Sequence, residues 1–243
     1  MRTNKKNIES YPAYDVLIPA YNARATIGTL IEKLGTLSYP PGKICIVDDG
    51  STDGMLPGRV SKTIKIIRRA KNGGKGLALK EGFDWFLMNS DNPFLCCMDA
   101  DLQHDPEEIK NFLQQLAQDS SIKSVVGARS FKWSQMPPHR TVSNRLTSWI
   151  VELLAGFPVQ DSQCGFRFIH RDILSNIHLD EHGFQLESEF FFRLADLNLR
   201  PEFVNISTIY TEHGSHIGHF RDTARFIKLI SREIRRKWFI QEK

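Results

Sequence analysis

Long hydrophobic runs are missing from this chain: the nearest approach to the roughly 18 to 20 apolar residues that cross a bilayer is Trp149 to Phe157, which Glu152 interrupts. Any membrane contact is therefore expected to be peripheral. Cysteine is scarce as well, and Cys45, Cys96, Cys97 and Cys164 show no C-x-x-C spacing. That excludes a disulfide framework and a structural zinc, fits a reducing cytoplasm, and leaves the adjacent pair Cys96-Cys97 as small core residues. Excess charge of one sign is lacking too, with 32 Lys and Arg against 28 Asp and Glu. A broadly basic surface is excluded, and no nucleic-acid partner is expected. The start, Met1 to Ser10, has no apolar h-region, so residues 1–12 are expected to be a flexible lead-in. One absence is local: Ser120 to Val151 contains no Asp or Glu but does contain Lys123, Arg129, Lys132, Arg140 and Arg145.

What is present is the material of one large soluble domain, 243 residues with 41% hydrophobic side chains, and no repeat or low-complexity linker divides it. Apolar runs alternate with amphipathic stretches: Asp15–Ile18 then Ala25–Leu34, Ile44–Val47, Ile64–Ile67 then Gly76–Met88, Phe94–Met98 then Glu107–Leu116, and Ser124–Gly127. Short apolar runs bounded by Gly, Pro and Asp are strands buried on both faces, and helices between them imply parallel crossovers. The pattern predicts an α/β fold with a doubly wound, mostly parallel sheet. Phe131 to Arg140, with Pro137-Pro138, reads as a loop. Beyond it the pattern predicts a helix over 144–154, strands near 165–169 and 203–209, a helix near 186–197 and a last helix from Arg221 to about Trp238.

Ligands of such sheets collect at the carboxyl ends of the strands. The strongest candidate there is Asp99-Ala100-Asp101-Leu102-Gln103. If the chain stays extended, Asp99, Asp101 and Gln103 face one way and converge hard oxygen ligands suited to Mg²⁺ or Mn²⁺. A solvated acidic turn opening a helix explains Asp105-Pro106-Glu107-Glu108 as N-cap, N1 proline and acidic first turn, but not two carboxylates at a buried strand end. Pro19-Ala20-Tyr21-Asn22 and Asp48-Asp49-Gly50-Ser51 are each weak signals alone. Lys75, in Gly73-Gly74-Lys75-Gly76, can meet a diphosphate but lacks P-loop spacing.

Taken together and in order, these motifs from Tyr14 to about Arg129 resemble the inverting family 2 glycosyltransferases of GT-A (Rossmann-like) fold. Asp161-Ser162-Gln163-Cys164-Gly165-Phe166-Arg167 and Asp222-Thr223-Ala224-Arg225-Phe226 are similar to the branch of dolichol-phosphate mannosyltransferases and polyprenyl-phosphate glycosyltransferases. The resemblance implies a catalytic domain over 13–220, with a nucleotide-sugar half (13–129) and an acceptor half (130–220), followed by a basic amphipathic helix over 221–243. It implies that Pro19, Tyr21, Asn22, Asp48 and Asp49 hold the nucleoside of a GDP-mannose or UDP-glucose type donor, with Lys75 and Ala100 beside it. Asp99, Asp101 and Gln103 would hold the metal on the diphosphate. Glu189 sits where the family places a carboxylate near the sugar, with Glu187 its rival.

The acid-free basic stretch suits an anionic acceptor, with Arg129, Arg140, Ser143 and Arg145 as candidates for its phosphate. Asp101, Arg129 and Glu189 are thus the expected catalytic set. The acceptor would be a polyprenyl phosphate met at the cytoplasmic membrane face. Leu146, Trp149, Ile150, Val151, Leu153, Leu154 and Phe157 on one side, and the C-terminal helix with Phe226, Ile230, Ile234 and Trp238 among its cations, are candidate interfacial surfaces. An ordinary core helix is the competing reading for the first, and oligomer contact or a capping core helix for the second. A separate membrane-anchoring subunit is compatible with a chain that shows no span of its own. Rival functions are a same-fold transferase acting on a saccharide or other soluble acceptor, and a non-catalytic nucleotide-sugar or membrane-binding module. The spacing of His213, His216 and His219 across a glycine-containing loop reads as a polar loop rather than a second metal site.

The net charge of +4 is unevenly spread: residues 221–243 hold 8 basic and 3 acidic side chains. The rest of the chain is an acidic body with one basic stretch.

Overall fold

The structure is a computed structural model that describes residues 11–55, 61–129, 138–209 and 219–241. The lead-in, Phe131 to Pro137, and the loop with His213 and His216 lie outside the described residues. Seven strands form one sheet in the order β3-β2-β1-β4-β6-β5-β7. They are β1 (Tyr14–Ala20), β2 (Ile44–Asp48), β3 (Ile64–Arg68), β4 (Phe94–Cys97), β5 (Ser124–Arg129), β6 (Arg167–His170) and β7 (Glu202–Ile206). The apolar runs fall on the strands because β1, β2 and β4 are buried along their whole lengths. The pattern reads as continuous rather than alternating because helices cover both faces.

The helices are α1 (Ile27–Gly35), α2 (Lys75–Asn89), α3 (Ile109–Gln118), α4 (Pro138–Ala155), α5 (Arg171–Asn176), α6 (Leu186–Asp196) and α7 (His219–Gln241). In α3, Ile109, Phe112, Leu113 and Leu116 are buried at the spacing of one helical face, each contributing about 1.5 to 3 kcal/mol by leaving water. Asp105 caps the 3-10 turn Pro106–Glu108 that opens α3, accepting the Glu107 N–H at 3.2 Å. Helix α4 begins at Pro138, so the end of the stretch expected as loop is helical. Proline is tolerated at a first helical position, where its missing N–H would be unpaired anyway.

Among the described strands only β6 runs against its neighbours, antiparallel to β4 and to β5. This reversal decides where the second half of the chain meets the first. Strand β6 starts at the edge where β4 ends, with Arg167 opposite Cys97, so the segment before β6 is delivered to the carboxyl end of β4. After β6, α5 turns the chain, and residues 177–185 run back along α2, where Lys80 Nζ donates to the carbonyls of Leu179 and Asp180 at 3.1 and 3.2 Å. That return carries α6 to the same edge.

Candidate active site

Three loops at the carboxyl edge are laced together by their own side chains. Asn22, at φ 51°, takes its backbone N–H to Ser51 Oγ at 2.8 Å and accepts the Thr52 N–H at 2.9 Å. Asp48 is 1% exposed, accepts the Ser51 N–H at 2.8 Å and lies 3.6 Å from Arg68. The oxygen facing Arg68 is its second one, buried and without a hydrogen-bond partner. Tyr21 stands exposed beside it, while Pro19 is inside β1 and buried, and Ala100 is buried after β4. The oxygens of Asp49 accept the N–H groups of Gly73 and Gly74 at 3.0 and 2.7 Å and meet Arg69 Nε at 2.9 Å. Asp49 therefore holds the glycine loop and caps the positive end of α2.

That loop delivers Lys75. Its Nζ lies 2.5 Å from Asp99 Oδ1 and 2.6 Å from Glu187 Oε1, and 5.7 Å from the centre of the Phe184 ring. Burial opposes the ammonium charge, but the two carboxylates outweigh it and raise its pKa. Burial likewise opposes the ionisation of Asp99, and Lys75 overrides it, lowering that carboxyl below the usual range. The pocket closes only because residue 165 is glycine: a Cβ there would lie 2.6 Å from Asp99 Oδ2 and 2.8 Å from Lys75 Nζ. Gly165→Ala is expected to push Asp99 off Lys75 and lower transfer at least tenfold with a small change in melting temperature. Near-wild-type turnover would show that the pocket tolerates the methyl group.

The chain does not stay extended after Asp99. Leu102 adopts φ 60°, and Asp101 Oδ1 accepts the Gln103 N–H at 3.0 Å. A turn, not strand alternation, brings this segment round. Partial desolvation and then the Asp99 charge push the Asp101 carboxyl up. Two neighbouring carboxylates, only one of them against an internal cation, form a site whose negative charge a divalent cation relieves. The donor set fits Mg²⁺ or Mn²⁺: two carboxylates with Gln103 following them. Among the described residues no three His, Cys, Asp or Glu side chains form a complete metal cage, and hard cations of this kind keep places for water and substrate phosphate.

Beneath the turn, His104 is 5% exposed and packs on Phe166 at 5.5 Å. Burial, against the pull of Asp99, lowers its pKa to about 4. A folded pKa below the ordinary value near 6.5 means stability that is present above that pH and lost as pH falls toward 4. In metal-free protein the loss is expected to reach roughly 3 kcal/mol. His104→Phe should flatten the urea-unfolding profile across that window, and an unchanged slope would exclude His104 as its source.

At the end of β5, Arg129 is gripped by Asp161, with Nε and Nη2 at 2.6 and 2.9 Å from its two oxygens. Burial works against the guanidinium charge, and Asp161 more than restores it. Arg167 is 4% exposed and donates to the carbonyls of Cys164, Ser162 and Glu187 at 2.6, 3.0 and 2.8 Å. It ties the Gly165 loop to the first turn of α6. Ser143 and Arg145 lie exposed on α4; the backbone of Arg140 belongs to the same helix, and its side chain is outside the described residues.

The Glycosyl transferase family 2 model matches residues 15–177. The chain belongs to glycosyl transferase family 2. Among its relatives, the polyprenol monophosphomannose synthase of Mycolicibacterium smegmatis is 28% identical, over 81% of this chain and 77% of that one. A UDP-N-acetylglucosamine–dolichyl-phosphate N-acetylglucosaminyltransferase of Methanococcus voltae is 29% identical, over 82% and 86%. In fold the glycosyltransferase is similar to the Mycobacterium tuberculosis glucosyl-3-phosphoglycerate synthase solved with UDP, with a TM-score of 0.67 at 17% identity, covering 91% of this chain and 80% of that one. The GT-A fold expected from the sequence is thereby shown.

In this glycosyltransferase the carboxylate beside the Asp99 pocket is Glu187 and not Glu189. Two residues along a helix turn the side chain by about 200°. Glu189 is fully buried on the other face, accepting the N–H groups of Asp180 and Glu181 at 3.0 and 2.8 Å and Arg232 at 2.9 Å. The C-terminal helix expected from the sequence is present. Helix α7 docks on the body through buried Leu229 and Glu233, and Arg236 reaches Asp196 at 2.7 Å. Phe226 and Ile230 pack against the core, whereas Ile234 and Trp238 stay exposed, so the expected apolar stripe is split. The core-capping reading describes its inner face. Sequence reasoning gave no role to Asp161, Arg167 or His104. The usable signal was an arginine placed at the start of an apolar strand, where only a site or a buried network keeps a charge.

Proposed function

We propose that this glycosyltransferase moves a hexose from a nucleotide diphosphate sugar to a polyprenyl phosphate at the cytoplasmic face of a membrane. The observation that carries the reading is the pocket in which Lys75 joins Asp99 to Glu187, at the same carboxyl edge of the sheet as Asp48. Asp48, Tyr21 and Asn22 would receive the nucleoside. Asp99, Asp101 and Gln103 would hold Mg²⁺ or Mn²⁺, which supplies neutralising charge to the diphosphate. Glu187 orients the sugar, and Arg129, held by Asp161, is the first cation for the acceptor phosphate, with Ser143, Arg145 and Arg140 on α4 beyond it.

An acceptor phosphate whose second pKa is near 6 is already a dianion at neutral pH. Its oxygen forms the new bond to the sugar C1 as the bond to the donor diphosphate breaks, with inversion and without a strong general base. The protein's task is positioning and charge neutralisation. Support for a lipid acceptor comes from the relatives named for polyprenol and dolichyl phosphate. A surface on α4 suits it: Val142, Leu146, Trp149 and Leu153, at i, i+4, i+7 and i+11, are each more than half exposed. No helix of the described residues is long and apolar enough to cross a membrane, so the reading places the enzyme peripherally, alone or on an anchoring subunit.

The test is incubation of the protein with Mn²⁺, radiolabelled GDP-mannose or UDP-glucose, and extracted polyprenyl phosphates. Label should enter the organic phase. Label transferred only to water-soluble material would favour a soluble acceptor, and no turnover of any donor would favour a binding module.

A further inference from the structure

We infer that Arg232, on α7 and outside the catalytic pocket, is a positioning residue for the donor site. The inference deepens the proposed function and rests on its placement of the donor beside Asp99 and Lys75. Residues 180–187 form a strap with two differently attached sides. On the outer side Arg232 holds it: its guanidinium lies 2.9 Å from Glu189, 3.2 Å from Glu181 and 3.6 Å from Asp180. Glu189 in turn accepts the strap's own N–H groups from Asp180 and Glu181. Gln185 Nε2 adds a bond to the Asp222 carbonyl of α7 at 3.0 Å.

On the inner side the strap bears on the glycine loop. The His182 carbonyl accepts the Leu77 N–H at 3.2 Å, and a Cβ at Gly76 would lie 2.6 Å from the His182 carbonyl carbon. Five residues after His182, Glu187 grips Lys75. Polar contacts at both ends, joined by the strap's own backbone, thus lead from Arg232 through Glu189 to Lys75 and Asp99. Glu189 is buried and its charge is met by Arg232, so loss of the guanidinium leaves its carboxyl to protonate or to move, and the two N–H groups it holds move with it.

Arg236→Ala provides the control. It also breaks ion pairs of α7, to Asp196 at 2.7 Å and Glu233 at 2.8 Å, but neither partner belongs to the strap. Two readouts are compared in wild type, Arg232→Ala, Arg232→Lys and Arg236→Ala. In ligand-free protein, hydrogen exchange over residues 73–78 should quicken at least tenfold in Arg232→Ala and stay near wild type in Arg236→Ala. With Mn²⁺ and GDP-mannose or UDP-glucose, the donor Kd should rise about tenfold in Arg232→Ala, recover in part in Arg232→Lys, and remain within twofold in Arg236→Ala. Equal changes in Arg232→Ala and Arg236→Ala would reduce the effect to helix docking and overturn the inference, as would unchanged exchange in a folded Arg232→Ala. Failure of the wild type to bind either donor would instead count against the proposed function, leaving the exchange result to judge the strap.

Discussion

Asp101→Asn is expected to lower sugar transfer by about a thousandfold, near 4 kcal/mol of transition-state stabilisation, while the metal-free protein melts at or above the wild-type temperature. The two halves of this result have one cause. Asp101 sits against Asp99 with its carboxyl pushed up, so its charge is a net cost to the fold until a cation relieves it. Asparagine keeps an oxygen in place to accept the Gln103 N–H and preserves the turn at Leu102, so geometry survives while charge is lost. Melting curves with and without Mn²⁺ and donor give the second measurement. Wild type should gain stability from the pair by mass action, and the variant should gain little. A variant retaining more than a tenth of the activity would remove Asp101 from the metal site.

The asymmetry between Asp99 and Asp101 also marks what a sequence discloses. Adjacent acids after the apolar run Phe94–Met98 were legible as a site because buried strands end on charge only for a reason. Their unequal environments were not legible, because Lys75 reaches Asp99 from 24 residues before it, and Glu187 meets the same ammonium from 88 residues after it. The seven strands could be read from short apolar runs. The direction of β6 could not, since hydrophobic pattern is the same for either direction, and it is this direction that brings Gly165 and Asp161 to the pocket. Glu187 and Glu189 pose the same limit on a smaller scale. Both are acids in the first turn of α6, and only the packing partners of each face distinguish them. The bonds of Asp49 to the glycine loop were not legible for a related reason: an Asp-Asp-Gly turn has the same sequence whether its second carboxylate faces a ligand or ties down a neighbouring loop.

Asp161→Ala is expected to destabilise the protein by about 3 to 5 kcal/mol, the cost of removing one member of a buried ion pair. Asp161 is 1% exposed, and besides Arg129 it accepts the Gln163 N–H at 3.1 Å. Its loss strips the guanidinium of both charge-assisted bonds and loosens the segment leading into Gly165. Arg129→Met alone should also destabilise, by leaving the Asp161 carboxylate without its counter-charge. The double variant, Arg129→Met with Asp161→Leu, should fall well short of the sum of the single costs, because neither charge is then stranded. Urea unfolding of the four proteins measures that coupling, and additive costs would mean that the pair contributes nothing beyond its separate members. Activity must follow a different order. If Arg129 meets the acceptor phosphate, the double variant regains stability but not turnover, and its KM for polyprenyl phosphate rises at least tenfold while its donor Kd stays near wild type. Recovery of turnover together with stability would make the pair a structural brace and move the acceptor phosphate to the cations of α4.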